Sequence, residues 1–205
     1  MLKVALTGNV GSGKSTVTRI WSDAGIPVIR ADDLAREVVA TGSDGLARVV
    51  EEFGAEVLQV DGSLDRTVLR HRVFLNSGER ARLEGILHPL IGSVRDAWVA
   101  RHAASKTALV VAEIPLLYEA GLEKDYDAVV LVVVPPKERL RRLMGDRGGN
   151  EEEWSRVMAA QMPTEEKLPL ADYVLENGGS REDLEIRCLA LLDLLRARAR
   201  KREDQ

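Results

Sequence analysis

The chain has 205 residues, 45% of them hydrophobic and 30% charged, with a formal net charge of −4. That allows one substantial core with a small appended module, not two full domains, and the acidic balance argues against a general nucleic-acid binder. The single cysteine, Cys188, excludes an intramolecular disulfide and a thiolate zinc site, and no run approaches the roughly 18 apolar residues of a membrane helix.

The opening "MLKVALTGN" has neither the charged start nor the apolar stretch of a leader, so a cytoplasmic location is expected. "KVALTG" reads as a short buried strand, apolar and bounded by glycine. "KSTVTRIWSDAG" puts Val17, Ile20 and Trp21 on one helical face, with Gly25 as the stop. "IPVIRAD" is a second short strand. Strand, glycine loop, helix and strand begin a βαβ unit, for which a right-handed crossover is expected. From Asp32 to about Arg101, "DDLAREVVA", "GLARVVEEFG", "DRTVLRHRVF" and "GERARLEGILHPLIGSVRDAWVARHAA" are helical patterns with no convincing strand between them. "TALVVAEIPLL" from Thr107 and "DAVVLVVVP" from Asp127 then restore the character of buried parallel strands. "KERLRRLMGDRGGNEEEWSRVMAAQM" is helix, glycine break, helix; "ADYVLEN" is a last strand and "REDLEIRCLALLDLLRARAR" a closing helix. The cations Arg196, Arg198, Arg200, Lys201 and Arg202 read as a solvated helix end, where they suit the negative pole of the dipole.

The segment Gly8-Asn9-Val10-Gly11-Ser12-Gly13-Lys14-Ser15 fits G-x-x-x-x-G-K-[ST], the P-loop pattern, between a buried strand and a helix. Glycines let the backbone wrap so that successive amides point inward as an anion nest. Lys14 brings positive charge to the β- and γ-phosphates, and the Ser15 hydroxyl suits Mg²⁺. An Asn-Lys-x-Asp guanine motif and a transporter-type signature are both absent. A small kinase with an acceptor-binding insertion and a lid remains.

Further segments, "IRADDLAREVVATG", "DGSLDRTVLRHRVF", "LEGILHPLI", "EIPLLYEAG" and "AAQMPTEEKLPLADYVLENGG", together resemble the dephospho-CoA kinase family over nearly the whole chain, to about Gly179. The resemblance implies an α/β fold: a P-loop NTPase three-layer sandwich with a parallel β-sheet, a helical substrate-binding insertion and a lid. Residues 1–31, 102–138 and 168–205 would form the nucleotide-binding core, 32–101 the helical acceptor (CoA)-binding region and 139–167 the lid. It implies transfer of the ATP γ-phosphoryl group to the ribose 3′-hydroxyl of dephospho-CoA, with Mg²⁺, in a monomer or weak homo-oligomer that binds neither nucleic acid nor membrane. Another small-molecule kinase and a nucleotide-binding switch are the rival readings.

The resemblance also implies roles for residues. Gly8, Asn9, Val10, Gly11, Ser12, Gly13, Lys14, Ser15 and Thr16 would bind ATP, with Asn177 near the adenine or simply ending a turn. Asp32 matches the family's catalytic acid, which would orient the attacking hydroxyl and take its proton; Asp33 is the better candidate for a plain helix cap. Arg142 matches the lid-base arginine that neutralises charge on the transferring group. Arg139 and Arg147 read as solvated helix faces. Arg36, Arg66, His88 and Tyr118 are candidate acceptor contacts, Arg because it binds phosphate bidentately. For His88 a buried structural role stands slightly ahead, and for Leu116, Leu117 and Tyr118 the core is the commoner fate. The chain departs from the family at Arg30, where an Asp usually stands. Arg30 would then reach an acceptor phosphate, or Glu113 would replace the missing acid near Mg²⁺, or Glu113 is a strand-end carboxylate paired with a nearby cation.

Overall fold

The structure, a computed structural model, describes residues 1–203. Asp204 and Gln205, assigned above to the core, lie outside the described residues. In chain order the elements are β1 (Leu2–Thr7), α1 (Lys14–Asp23), β2 (Val28–Arg30), α2 (Ala31–Glu37), α3 (Asp44–Phe53), α4 (Arg66–Leu75), α5 (Ser77–Ala104), β3 (Leu109–Glu113), β4 (Ala128–Val133), α6 (Pro136–Arg147), α7 (Glu151–Ala159), α8 (Thr164–Lys167), β5 (Tyr173–Glu176) and α9 (Arg181–Glu203). They fall into two compact units, Met1–Arg30 with His102–Gln205, and Ala31–Arg101.

The first unit is built on one sheet of order β2-β3-β1-β4-β5 in which every pair is parallel. Side chains alternate across a strand, so Leu2, Val4 and Leu6 of β1 face one way with Leu109 and Val111 of β3 and Val130 and Val132 of β4. Val17 and Trp21 of α1 and Leu184, Cys188, Leu192 and Leu195 of α9 cover that face. Trp21 is fully buried and donates its only polar hydrogen to the Cys188 carbonyl at 3.0 Å, so its burial leaves no orphan donor. Ala5, Ala112 and Val129 look the other way and pack with Ile114, Leu117 and Tyr118. Burial on both faces is why these strands read as continuous apolar runs.

One boundary and one surface differ from the sequence reading. β2 ends at Arg30 rather than running to Asp32, because Ala31–Glu37 is already helix, with Asp32 and Asp33 in the first turn where acids suit the positive pole. The basic run of α9 is also less solvated than expected. Arg196 donates to the Ala24 carbonyl at 2.9 Å, Arg198 to the Asp127 carbonyl, and Arg202 pairs with the Asp127 carboxylate at 2.6 Å. These cations fasten the closing helix to its own unit.

The second unit, Ala31–Arg101, has a separate core of Val38, Val39, Leu46, Val49, Phe53, Val57, Leu64 and Leu69. On α5, Leu83, Ile86, Leu87, Leu90, Ile91 and Val94 recur every three or four residues and pack on that core. The helix runs through Pro89 without a break. Three starts are capped from the sequence: Ser43 Oγ accepts the Leu46 amide at 3.1 Å, Asp65 the Thr67 and Val68 amides at 2.9 and 3.0 Å, and Asn76 the Gly78 and Glu79 amides at 2.9 and 3.2 Å. A tight hairpin with a bridge between Leu58 and Leu64 was not expected.

Candidate active site

Because β1 ends at Thr7 and α1 starts at Lys14, residues 8–13 join a strand end to a helix N-terminus, whose first amides have no intrahelical partner. The glycines are needed for shape at two places. Gly8 has φ 149°, and a Cβ there would stand 2.5 Å from the Val132 carbonyl oxygen. Gly13 has φ 90°, and a Cβ there would collide with the Asn177 side-chain amide. Lys14, though charged, is buried, and its ammonium donates to the Gly8 carbonyl at 2.7 Å and the Asn9 carbonyl at 3.3 Å. Ser12 Oγ and Asn9 Oδ1 are buried without a partner among the described residues, which suits a cradle whose remaining contacts go to a ligand. Ser15 stands exposed in the first turn of α1.

Asn177 directly follows β5, and it joins the loop to α6. Its Nδ2 donates to the Ser12 carbonyl at 2.8 Å, and its own carbonyl accepts from Arg142 Nη2 at 2.9 Å. The structure therefore places Asn177, 7% exposed, against the P-loop backbone. Arg142 on α6 is held a second time by Glu138 Oε1 at 2.8 Å. Hydrogen bonds from Arg141 and Arg142 hold the Glu138 carboxyl down at about 2, so it stays an anion across the working range. Arg147 instead sits over the Trp154 ring, 6.0 Å from its centroid.

Arg139 departs from the sequence reading. It is 4% exposed, not on a solvated face, and its Nε donates to the Val10 carbonyl at 3.1 Å. Burial pulls its pKa down, with Glu165 opposing. The available signal was its spacing: Arg139 and Leu143 are the buried residues of α6, one turn apart. Gln161 was also missed. Its Oε1 accepts the Val10 amide at 2.8 Å, and nothing in its residue type announces that role.

The Arg30 question has a geometric answer. Arg30 and Glu113 are register partners on neighbouring strands, and Arg30 Nε contacts Glu113 Oε2 at 3.0 Å. Glu113, 5% exposed, is thus a strand-end carboxylate paired with a nearby cation. Among the described residues no group of three or more His, Cys, Asp or Glu could hold a metal. Mg²⁺ needs no such group here: a hard cation that keeps several waters can be held by the Ser15 hydroxyl and triphosphate oxygens, so the donor set fits.

The acceptor candidates are placed differently. Tyr118 is buried beneath the sheet with Leu117, while Leu116 is exposed. The Tyr118 hydroxyl has no partner among the described residues, and burial, with Asp172 and Glu123 adding to it, pushes its pKa up to about 12. In the second unit Asp32 is exposed on the first turn of α2, one residue before Asp33, which accepts from Arg36 at 3.1 Å. Arg66 opens α4 and is exposed. His88 is exposed on α5, which overturns the buried structural reading: it lies off the 83–94 apolar stripe that faces the core.

Comparison with known proteins agrees with this architecture. The dephospho-CoA kinase family model matches residues 2–183. A dephospho-CoA kinase of Streptomyces avermitilis is 46% identical over 187 residues, 91% of this chain and 90% of that protein. One from Corynebacterium glutamicum is 42% identical over 184 residues, 90% and 94% of the two chains. The solved dephospho-CoA kinase of Campylobacter jejuni superposes with a TM-score of 0.71 at 26% identity, over 93% of this chain and 95% of that one. A crystal structure of a shikimate kinase from Aquifex aeolicus, at 14% identity and a TM-score of 0.51, shares the fold alone, over 94% and 96% of the two chains. The chain therefore belongs to the dephospho-CoA kinase family, the kinases that carry out the final, ATP-dependent step of coenzyme A synthesis by transferring phosphate to an alcohol.

Proposed function

We propose that this chain transfers the γ-phosphoryl group of MgATP to the ribose 3′-hydroxyl of dephospho-CoA in the cytoplasm, releasing coenzyme A and ADP. The observation that carries the reading is a complete P-loop at a strand end, with Lys14 and Arg142 held beside it, in a chain of this family. The loop amides and Lys14 hold the triphosphate, and Ser15 would hold Mg²⁺, which would supply positive charge to the transferring group. Arg142 offsets charge on the group in flight; Glu138 and Asn177 fix its guanidinium from two sides, so little reorganisation is needed. Asp32 orients the 3′-hydroxyl and takes its proton. Residues 1–31, 102–138 and 168–205 serve as the nucleotide-binding core, 32–101 as the acceptor region and 139–167 as the lid that excludes water. Arg36, Arg66 and His88 are the acceptor contacts this reading retains, and Tyr118, buried with Leu117, is not among them.

The test is ADP release from MgATP with and without dephospho-CoA, on the wild type and on Asp32→Asn. The expected result is a rate that depends on dephospho-CoA and falls about 10²–10⁴-fold in the variant. A rate retained in Asp32→Asn removes that residue from its role. No stimulation by dephospho-CoA sinks the substrate assignment.

A further inference from the structure

Both roots of the lid meet at one residue of the P-loop. Arg139, in the first turn of α6, donates to the Val10 carbonyl at 3.1 Å, and Gln161, just past α7, accepts the Val10 amide at 2.8 Å. The hairpin of α6 and α7 thus leaves the P-loop crest and returns to it. Beside Val10, Asn9 Nδ2 donates to the Met162 carbonyl at 3.1 Å, with Thr164 Oγ1 at 3.5 Å. The returning strap has its own anchor. Lys167, wholly buried, donates to Glu119 Oε1 at 2.8 Å, and the same oxygen accepts the Met162 amide at 3.0 Å. An ammonium that deep is tolerated only with such a partner, so residues 161–167 have little freedom to drift from the crest.

A P-loop works only if its amides already face the phosphates, and a crest peptide with no partner for its N–H is free to turn or must find water. Here the partner is a neutral amide oxygen, which satisfies Val10 without placing an anion beside the triphosphate. We propose that Gln161 is a positioning residue for ATP: by holding the Val10 N–H it presets the crest of the P-loop, and with Arg139 on the carbonyl of the same residue it ties loop shape to lid position. The proposal rests on the reading of this loop as the ATP cradle. Gln161 acts through Val10 and need not touch the nucleotide.

Gln161→Met keeps the length of the side chain and removes the acceptor. In this variant the KM for ATP is expected to rise about tenfold while kcat changes less than about threefold, as for one lost hydrogen bond to the loop. The KM for dephospho-CoA stays at the wild-type value, and the thermal midpoint falls by no more than about 4 °C. In the nucleotide-free enzyme the Val10 amide exchanges its hydrogen about tenfold or more faster by NMR, while β1 and β4 amides keep their rates. Gln161→Glu, which retains an oxygen acceptor, keeps Val10 protected. Unchanged Val10 exchange in Gln161→Met overturns the proposal, as does a parallel rise of both KM values with a larger fall in midpoint, the mark of general loosening. A wild type without dephospho-CoA-dependent turnover overturns the function instead, and the exchange measurement still judges the contact.

Discussion

Around the P-loop, five charged or polar side chains are already committed to partners in their own unit: Lys14 to two loop carbonyls, Arg139 and Gln161 to Val10, Asn177 to Ser12, Arg142 to Glu138 and Asn177. The candidates in Ala31–Arg101 stand otherwise. Arg66 and His88 are exposed on helices, and Arg36 makes a surface pairing with Asp33. On the proposed function, the contrast follows from what each region would recognise. A triphosphate is met by backbone amides, which are useful only when aimed in advance, so their surroundings are rigid and buried. Long surface cations pay side-chain entropy when they engage a ligand, and contribute correspondingly less to the unliganded fold.

The contrast breaks most severely at Gly13. Gly13→Ala forces a side chain into a left-handed backbone and onto Asn177, so both the loop and the Arg142 support shift. kcat/KM is expected to fall by about 10²-fold, the cost of a misplaced reacting group. The thermal midpoint should drop by about 4–10 °C, read by calorimetry. Normal activity in this variant would show that the loop is not preset.

A smaller effect tests the buried anchor. Burial alone would raise the Glu119 carboxyl, but hydrogen bonds from Lys167, from its own amide and from Met162 outweigh it, and the pKa lies below its ordinary 4.5. Stability from a depressed carboxyl is complete above the unfolded value and is lost as pH falls through the folded one. The midpoint of Glu119→Gln should therefore lie below wild type by about 3–8 °C at pH 7. That gap should narrow steadily as pH is lowered beneath 4.5. A gap independent of pH would mean that packing, not charge, holds the strap.

The smallest effect sharpens the other side of the comparison. Arg66→Ala, at an exposed helix start, should leave the midpoint and the KM for ATP unchanged and raise the KM for dephospho-CoA about fivefold. An unchanged KM would return Arg66 to the solvated surface.

The P-loop was legible because its chemistry is local: a nest of amides, a lysine and a hydroxyl must be consecutive, so the motif is written in adjacent residues. The strands were legible for a similar reason, since burial on both faces leaves an unbroken apolar run. The end of β2 was not, because "RADD" satisfies strand exit and helix entry equally until Ala31–Glu37 takes the helix. Arg139 looked like its neighbour Arg141, which lies exposed and pairs with Glu138. Only packing distinguishes them, because a helix turns about 100 degrees per residue and the facing carbonyl of Val10 is 129 positions away in the chain.

By itself the sequence determined the phosphate cradle, the parallel α/β core, the helical insertion and the family, all of which rest on local patterns or on motifs spread along one chain. The tertiary structure decided the partners: that Arg30 neutralises Glu113, that Arg139 and Gln161 close on Val10, that Lys167 is buried on Glu119, and that the basic end of α9 binds carbonyls and carboxylates of its own unit. Hydrogen bonds and ion pairs are set by distances of about 3 Å between atoms far apart in the chain. Residue type says only that a group needs a partner; the fold chooses which one it meets.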